Sequence, residues 1–387
     1  MKRLRVAIIT TDGREMLRRY EAPGPIFGTA PRALLDGLSE IPDVDIHVLS
    51  CVQKPVRSQR DPAPNITLHS LHVPKLGWMR TAYLGCARAV RARLREIQPD
   101  IVHGQGTERD CAVSAVRSGF RNVLTLHGSM AEMARKFSPK PFSFGWWAPF
   151  FEAYAVRRTE GVFCNSTFTE QLMKREARRT WKVPNALRKE FVAPVTQRAP
   201  NPLPTLLNVG VICTNKRQLE ILRICRRLHG KGLEFMMRFV GQADPHDPCA
   251  REFLREIALA NSSGYASFEG LKQEVTDLIA CMDQSDLLVH FPLVETFGLV
   301  VAEALARGLD LISCKVGGIS DVTAGIGSIR MLEPGDLAGL EDAISKWILR
   351  PGRGGSDARQ SMLARYHPKA VAESHVDIYR DVLSRPR

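Results

Sequence analysis

Nine cysteines occur in 387 residues without a single CxxC pair, and that missing spacing excludes the common zinc and dithiol frameworks. The odd set Cys51, Cys86, Cys111, Cys164, Cys213, Cys225, Cys249, Cys281 and Cys314 lies largely inside apolar runs and reads as small core residues in a reducing compartment. No metal site and no cofactor follow from it. There is also no run of 18 or more apolar residues, so no transmembrane helix is expected. The N-terminal stretch Met1-Lys-Arg-Leu-Arg-Val-Ala-Ile-Ile-Thr10 is basic and then apolar, but too short for the apolar core of a secretory leader. It reads as the first strand of a cytoplasmic α/β protein. Short-period repeats, low-complexity stretches and recognisable RNA- or DNA-binding motifs are absent, so neither a repeat array nor a nucleic-acid partner is expected.

Acidic residues are too few to balance the chain. The net charge is +13, and residues 1–200 carry 32 Lys and Arg against 18 Asp and Glu, while the remainder carries 22 against 23. One half thus holds the whole excess, which points that half toward an anionic partner or gives it a solubilising basic surface. Aromatics make up only 7% of the chain, yet they crowd into Phe137-Ser-Pro-Lys-Pro-Phe-Ser-Phe-Gly-Trp-Trp-Ala-Pro-Phe-Phe151, flanked by Arg135, Lys136, Lys140, Arg157 and Arg158. Such a segment fits either peripheral contact with an anionic membrane or an apolar loop and helix start buried at a domain interface.

Apolar, β-branched segments alternate with helical patterns throughout. Val6–Thr10, Asp45–Leu49, Ile101–His103, Asn122–Leu126 and Gly161–Asn165 read as strands in the first half, and Leu206–Val209, Glu234–Val240, Leu287–His290 and Leu311–Ser313 in the second. This is the rhythm of a parallel sheet covered by helices. Prolines between Val192 and Thr205 interrupt it. The length and the interruption together predict two α/β domains, 1–191 and 206–365, joined by a linker at 192–205.

Open α/β sheets bind ligands at the carboxyl ends of their strands, and several such ends are polar here. Near the C-terminus runs Glu295-Thr-Phe297-Gly298-Leu299-Val300-Val-Ala-Glu303-Ala-Leu-Ala-Arg-Gly308, which reads as a loop entering a helix that Gly308 terminates. Backbone N–H groups around Gly298, Leu299 and Val300 lie at the positive end of that helix and suit a phosphate. Glu295 and Glu303 flank it and reach hydroxyls on opposite sides of a diphosphate. Gly210 ends an earlier strand and is followed by Lys216 and Arg217, cations able to neutralise a departing diphosphate. Gly241 repeats the strand-then-glycine pattern. In the first half, His127-Gly128 closes a predicted strand, while His103 reads as an ordinary core histidine and Asp43-Val44-Asp45 as a solvated turn ahead of a strand.

The spacing from Glu295 to Glu303, with Phe297-Gly298-Leu299 between them, resembles the E-x7-E signature of retaining glycosyltransferases of family 4, which have the GT-B fold. The likeness extends over most of the chain through Pro99-Asp-Ile-Val-His103, His127-Gly128, Asn165-Ser166, Val183-Pro-Asn185, Gly210 with Lys216, Gly241, Phe268-Glu-Gly270, Gly317-Gly318 and Glu333-Pro-Gly-Asp336. It implies two facing Rossmann-like domains, a C-terminal helix in 366–387 returning to the first domain, and a nucleoside diphosphate sugar, UDP- or GDP-linked, as donor to a hydroxyl acceptor, lipid-linked acceptors included. Residue by residue it implies Glu303 on the ribose, Glu295 on the sugar hydroxyls, Lys216 on the diphosphate, and His127 beside the donor sugar. The loop Gly24-Pro-Ile-Phe-Gly28-Thr29-Ala-Pro-Arg32, which stands where the family has a Gly-Gly pair, falls with Gly128 on the acceptor side. Val211 replaces an expected Arg, and Asp310 an expected Pro. Phosphorylase or epimerase chemistry, and a transferase-like module binding anionic glycans or nucleic acid without turnover, are the alternative expectations.

Overall fold

The computed structural model describes residues 3–56, 61–195, 201–327, 329–352 and 356–386. The chain divides into two compact units, Met1–Arg188 with Tyr366–Arg387, and Lys189–Arg365. Within the proline-rich linker, residues 196–200 lie outside the described residues.

The first unit is built on seven strands: β1 (Leu4–Ile9), β2 (Val44–Val52), β3 (Ile66–His72), β4 (Ile101–Gln105), β5 (Asn122–Leu126), β6 (Val162–Cys164) and β7 (Thr180–Lys182). They form one parallel sheet in the order β3-β2-β1-β4-β5-β6-β7. Strand β1 shows why its sequence is apolar without alternation. Val6 and Ile8 enter one core and Ala7 and Ile9 another, on the opposite face, so both faces are covered by helices.

The C-terminal helix Pro368–Ser384 joins the first of these cores and packs along the helix Thr29–Ser39. Gly37 permits that approach, since a Cβ there would overlap the Pro368 carbonyl. Tyr379 is fully buried and its hydroxyl lies 2.5 Å from His103 Nδ1, while His103 Nε2 meets Thr125 Oγ1 at 2.7 Å. His375 stacks on Phe163 at 4.6 Å. His103 is thus a core histidine, and burial holds its pKa well below the usual value.

The second unit carries β8 (Thr205–Val209), β9 (Met236–Val240), β10 (Ala266–Phe268), β11 (Leu287–His290), β12 (Asp310–Cys314) and β13 (Ile329–Leu332), also all parallel, in the order β10-β9-β8-β11-β12-β13. In each sheet the chain reverses its direction of travel beside the first strand, between β1 and β4 and between β8 and β11. Ligand crevices form at such reversals because the loops on either side diverge over opposite faces.

The strands β3, β7, β10 and β13 have no counterpart among the strand ranges read from the sequence. All four are edge strands, with one side unpaired, and their residues are mostly half-buried or exposed. An apolar run is not needed there, so the pattern that marks central strands is missing.

Candidate functional site

In the second unit the reversal between β8 and β11 brings together residues 79 positions apart. The loop after β8 starts at Gly210, whose N–H donates to Val240 O at 2.9 Å. A Cβ on Gly241 would overlap the Gly210 carbonyl, so this glycine lets one loop pass closely over the end of the neighbouring strand. Gln218, fully buried, braces the loop by accepting from Cys213 N at 3.3 Å and donating to Val211 O at 3.0 Å. Asn215 then fastens it to the loop after β11: its side chain accepts from Val294 N at 2.9 Å and donates to Val294 O at 3.1 Å, and its carbonyl accepts from Leu293 N at 2.8 Å.

The result is a contact between two side chains singled out from sequence. Lys216 Nζ lies 2.6 Å from Glu295 Oε2, with both side chains mostly buried. His290, the last residue of β11, approaches the same carboxylate through Nε2 at 3.3 Å. Burial alone would raise the Glu295 pKa; the Lys216 charge and the His290 hydrogen bond outweigh it and hold the carboxyl far below the usual range. His290 shifts downward, chiefly from burial, with Glu295 opposing. The site therefore presents an ionised carboxylate against Lys216 Nζ and a neutral imidazole at physiological pH.

Gly298 follows in the left-handed conformation (φ 90°) and caps the helix Leu299–Ala306 without any side-chain hydrogen bond. Phe297 is buried behind it, and the first turn, Leu299 and Val300, stays partly open. The helix ends at Arg307 and the left-handed Gly308, with Arg307 gripping Asp283 at 2.6 Å and Ala193 O at 2.9 Å. Glu303 is only 2% exposed, on the second turn. Arg217 adopts left-handed backbone geometry at the start of the helix Gln218–Gly230 and places its guanidinium 5.9 Å from the Phe291 ring.

The remaining predicted residues belong to the first unit. His127 follows β5 and its Nε2 lies 2.9 Å from Gln105 Oε1. Burial, reinforced by His375, pushes its pKa down to about 4, so the ring is neutral at pH 7. Gly28 caps the helix Thr29–Ser39, whose next residue Ala30 lines a small cavity with His127, Gln105 and Asn185. Asp45 lies inside β2, paired with Arg5 at 2.9 Å.

Three features escaped the sequence. Asn215 and His290 lacked any motif, although each sits beside a strand end. Glu108 is the third. Its carboxyl packs where a Cβ of Gly106 would lie and also approaches Gly128, with the His127 ring alongside. Burial raises its pKa to about 7, against the pull of backbone N–H groups of Glu108, Gly128 and Thr107. The polar run Gln105-Gly-Thr-Glu108, which begins on the last residue of β4, was the available signal. Because the folded pKa is raised, the folded state holds this proton more tightly than the unfolded chain, and stability contributed below about pH 4.5 is lost as pH rises through about 7. Replacing Glu108 by Gln is therefore expected to flatten the fall in unfolding free energy between pH 5 and pH 8 by on the order of 2–3 kcal/mol. Urea titrations across that range check it; parallel pH profiles for both proteins would contradict the burial of this carboxyl.

The cysteines hold one surprise. Cys51, Cys86 and Asp110 converge on the side of the first sheet whose core holds Ala7 and Ile9, with their ligand atoms within 4.8 Å of one another, a juxtaposition that their linear spacing does not announce. The hydrogen bond to Cys86, with burial, raises the Cys51 thiol well above its usual pKa, so it stays protonated.

Comparison with known proteins agrees with this arrangement. The family described as Glycosyltransferase Family 4 matches residues 32–189, and that described as Glycosyl transferases group 1 matches residues 203–349. The N-acetyl-alpha-D-glucosaminyl L-malate synthase of Bacillus anthracis is 31% identical over 119 residues, which are 30% of this chain and 30% of that protein. Among solved structures, sucrose-phosphate synthase from Thermosynechococcus elongatus superposes with a TM-score of 0.81 at 17% identity, covering 99% of this chain and 100% of the other. Anabaena Alr3699/HepE in complex with UDP-glucose does so with a TM-score of 0.72 at 15% identity, covering 98% and 100%. With the two family matches falling one on each α/β unit, and both sheets parallel, the chain belongs to the family 4 and group 1 glycosyltransferases and has the GT-B fold.

Proposed function

We propose that this protein is a retaining, metal-independent glycosyltransferase that moves a hexose from a nucleoside diphosphate sugar to a hydroxyl acceptor in the cytoplasm. The observation that carries the proposal is the Lys216–Glu295 pair beside the uncapped N-terminal end of the helix Leu299–Ala306. A cation, a fixed carboxylate and a helix dipole are what a sugar diphosphate requires on its phosphate and hydroxyl sides. The UDP-glucose bound to the Anabaena neighbour supports a UDP-linked donor.

In the reaction, the bond between the anomeric carbon and the diphosphate oxygen breaks, and its electron pair leaves with the diphosphate. Lys216 and the helix N-terminus stabilise that charge. The acceptor oxygen bonds the oxocarbenium-like carbon on the face the diphosphate left, and its proton passes to the departing phosphate. Glu295, held ionised and hydrogen-bonded, orients sugar hydroxyls and is not a nucleophile. Glu303 binds the ribose.

The test is transfer from UDP- and GDP-hexoses with excess EDTA present, with the anomeric configuration of the product read by NMR. Inversion, or dependence on added divalent metal, would overturn the mechanism. Glu303→Ala is expected to weaken binding of free nucleotide roughly 10- to 100-fold, the loss of a charge-assisted hydrogen bond worth about 1.5–3 kcal/mol. Calorimetric titration reads this directly, and an unchanged Kd removes Glu303 from the ribose.

A further inference from the structure

A cavity of about 510 Å³ opens in the first unit beside the carboxyl ends of β2 and β4, the edge of the sheet that carries His127. Leu76, Trp78 and Phe144 form its apolar wall, and Lys75, Arg80 and Arg109 bring three cations. The wall is firmly built. Gly77 and Gly85 meet backbone to backbone, with no room for a Cβ on either, which pins the short turns Lys75–Gly77 and Met79–Thr81 against the helix Leu84–Ile97. Ala82 and Tyr83 both take left-handed backbone conformations to join them, a strain that small and bulky L residues rarely accept in succession. Trp78 is fixed by its indole N–H to Val73 O at 2.9 Å.

Two observations indicate what enters. The Arg109 guanidinium lies 5.3 Å from the Trp78 ring, and its Nη1 is buried with no hydrogen-bond partner among the described residues. A buried, unanswered guanidinium N–H costs free energy that an anionic oxygen would recover. The apolar wall, meanwhile, runs outward instead of closing. Leu76 is 73% exposed, and Phe144 begins the helix Phe144–Val156, on which Trp147 and Phe150 are exposed too, with Phe142 (76% exposed) packed on Trp146 at 5.3 Å. The aromatic segment thus presents Phe142, Phe144, Trp147 and Phe150 to solvent while Phe151 anchors it on the core beside Tyr83, and it leads into the mouth of a cationic, apolar-walled cavity.

We infer that this cavity binds an anionic amphiphile, a single apolar chain bearing a phosphate, and that such a molecule is the carrier of the hydroxyl acceptor. The phosphate meets Arg109 with Arg80 and Lys75, and the chain lies along Leu76, Trp78 and Phe144 toward the exposed aromatics. This rests on the transferase reading for the word acceptor, but not for the binding itself.

The experiment titrates the full chain with decyl phosphate below its micellar concentration, following tryptophan fluorescence, against inorganic phosphate and decyl glucoside. Decyl phosphate is expected to saturate at least 10-fold below either control. Arg109→Gln should weaken it at least 10-fold; Arg80→Gln and Phe144→Ser, at more exposed positions, should each weaken it several-fold. Equal affinity for decyl glucoside would show a merely apolar patch, and equal affinity for inorganic phosphate a merely basic one; either overturns the proposal. Thermal stabilisation by UDP and GDP in the same preparation separates the two ideas. Nucleotide binding without decyl phosphate binding sinks the amphiphile site alone, whereas the reverse keeps the site and sinks the transferase reading.

Discussion

Lys216→Ala is expected to lower turnover roughly 10²–10³-fold, the scale of removing one preorganised group that stabilises developing charge. Two effects combine in that loss. The departing diphosphate loses a cation, and Glu295 loses the charge that offsets its burial. Its pKa must then rise, so the acid limb of the pH–rate profile should move toward neutrality in the variant. The sign follows from the native arrangement: a carboxyl held below its ordinary pKa is ionised down to low pH, and removing Lys216 leaves only His290 to oppose burial. Arg217 is poorly placed to compensate, with its guanidinium directed at the Phe291 ring. Steady-state kinetics over pH 4–9 decide the matter. An unchanged kcat would take Lys216 out of the mechanism and leave the ion pair as a purely structural brace.

Tyr379→Ala should destabilise the first unit by about 3–5 kcal/mol, the usual cost of emptying a buried aromatic site. This ring is fully buried in the core formed by β1, β2 and the helix Thr29–Ser39, and its hydroxyl holds the buried His103 at 2.5 Å. Tyr379→Phe keeps the volume and loses only the hydroxyl, so about 1 kcal/mol is expected. Urea unfolding of the two variants separates packing from hydrogen bonding. Equal midpoints for Tyr379→Ala and the unaltered protein would mean that the C-terminal helix contributes little to this core, contrary to its seat against Gly37.

How the site became legible is seen best at Glu295, Gly298 and Lys216. A glycine before an apolar helical run, with a carboxylate just ahead of it, states its chemistry locally, because helix N-termini and their dipoles are made by neighbours in sequence. Central strands are equally legible, since a strand covered on both faces must be apolar at every position, as Val6 to Ile9 are. The edge strands β3, β7, β10 and β13 were not, for the converse reason.

Asn215, His290 and Glu108 were silent because their roles depend on loops that meet only after folding. Asn215 closes two loops 79 residues apart, and Glu108 acquires its raised pKa from burial between Gly106, Gly128 and the His127 ring. The aromatic segment was ambiguous in sequence, where one amphipathic pattern serves a buried interface and an exposed one alike; the structure leaves Phe142, Phe144, Trp147 and Phe150 exposed.

By itself, then, the sequence determined the alternation of strands and helices and the helix start at Gly298, which follow from interactions within about a dozen residues, while its ordered motifs along the chain pointed to the family. Tertiary structure alone decided that Lys216 lies on Glu295, that His290 is drawn onto the same carboxylate, and that Tyr379 returns to His103 across 276 positions. Those contacts are set by parallel strand order and by burial; burial keeps His290 neutral, and the Lys216 charge with the His290 hydrogen bond keeps Glu295 ionised against it.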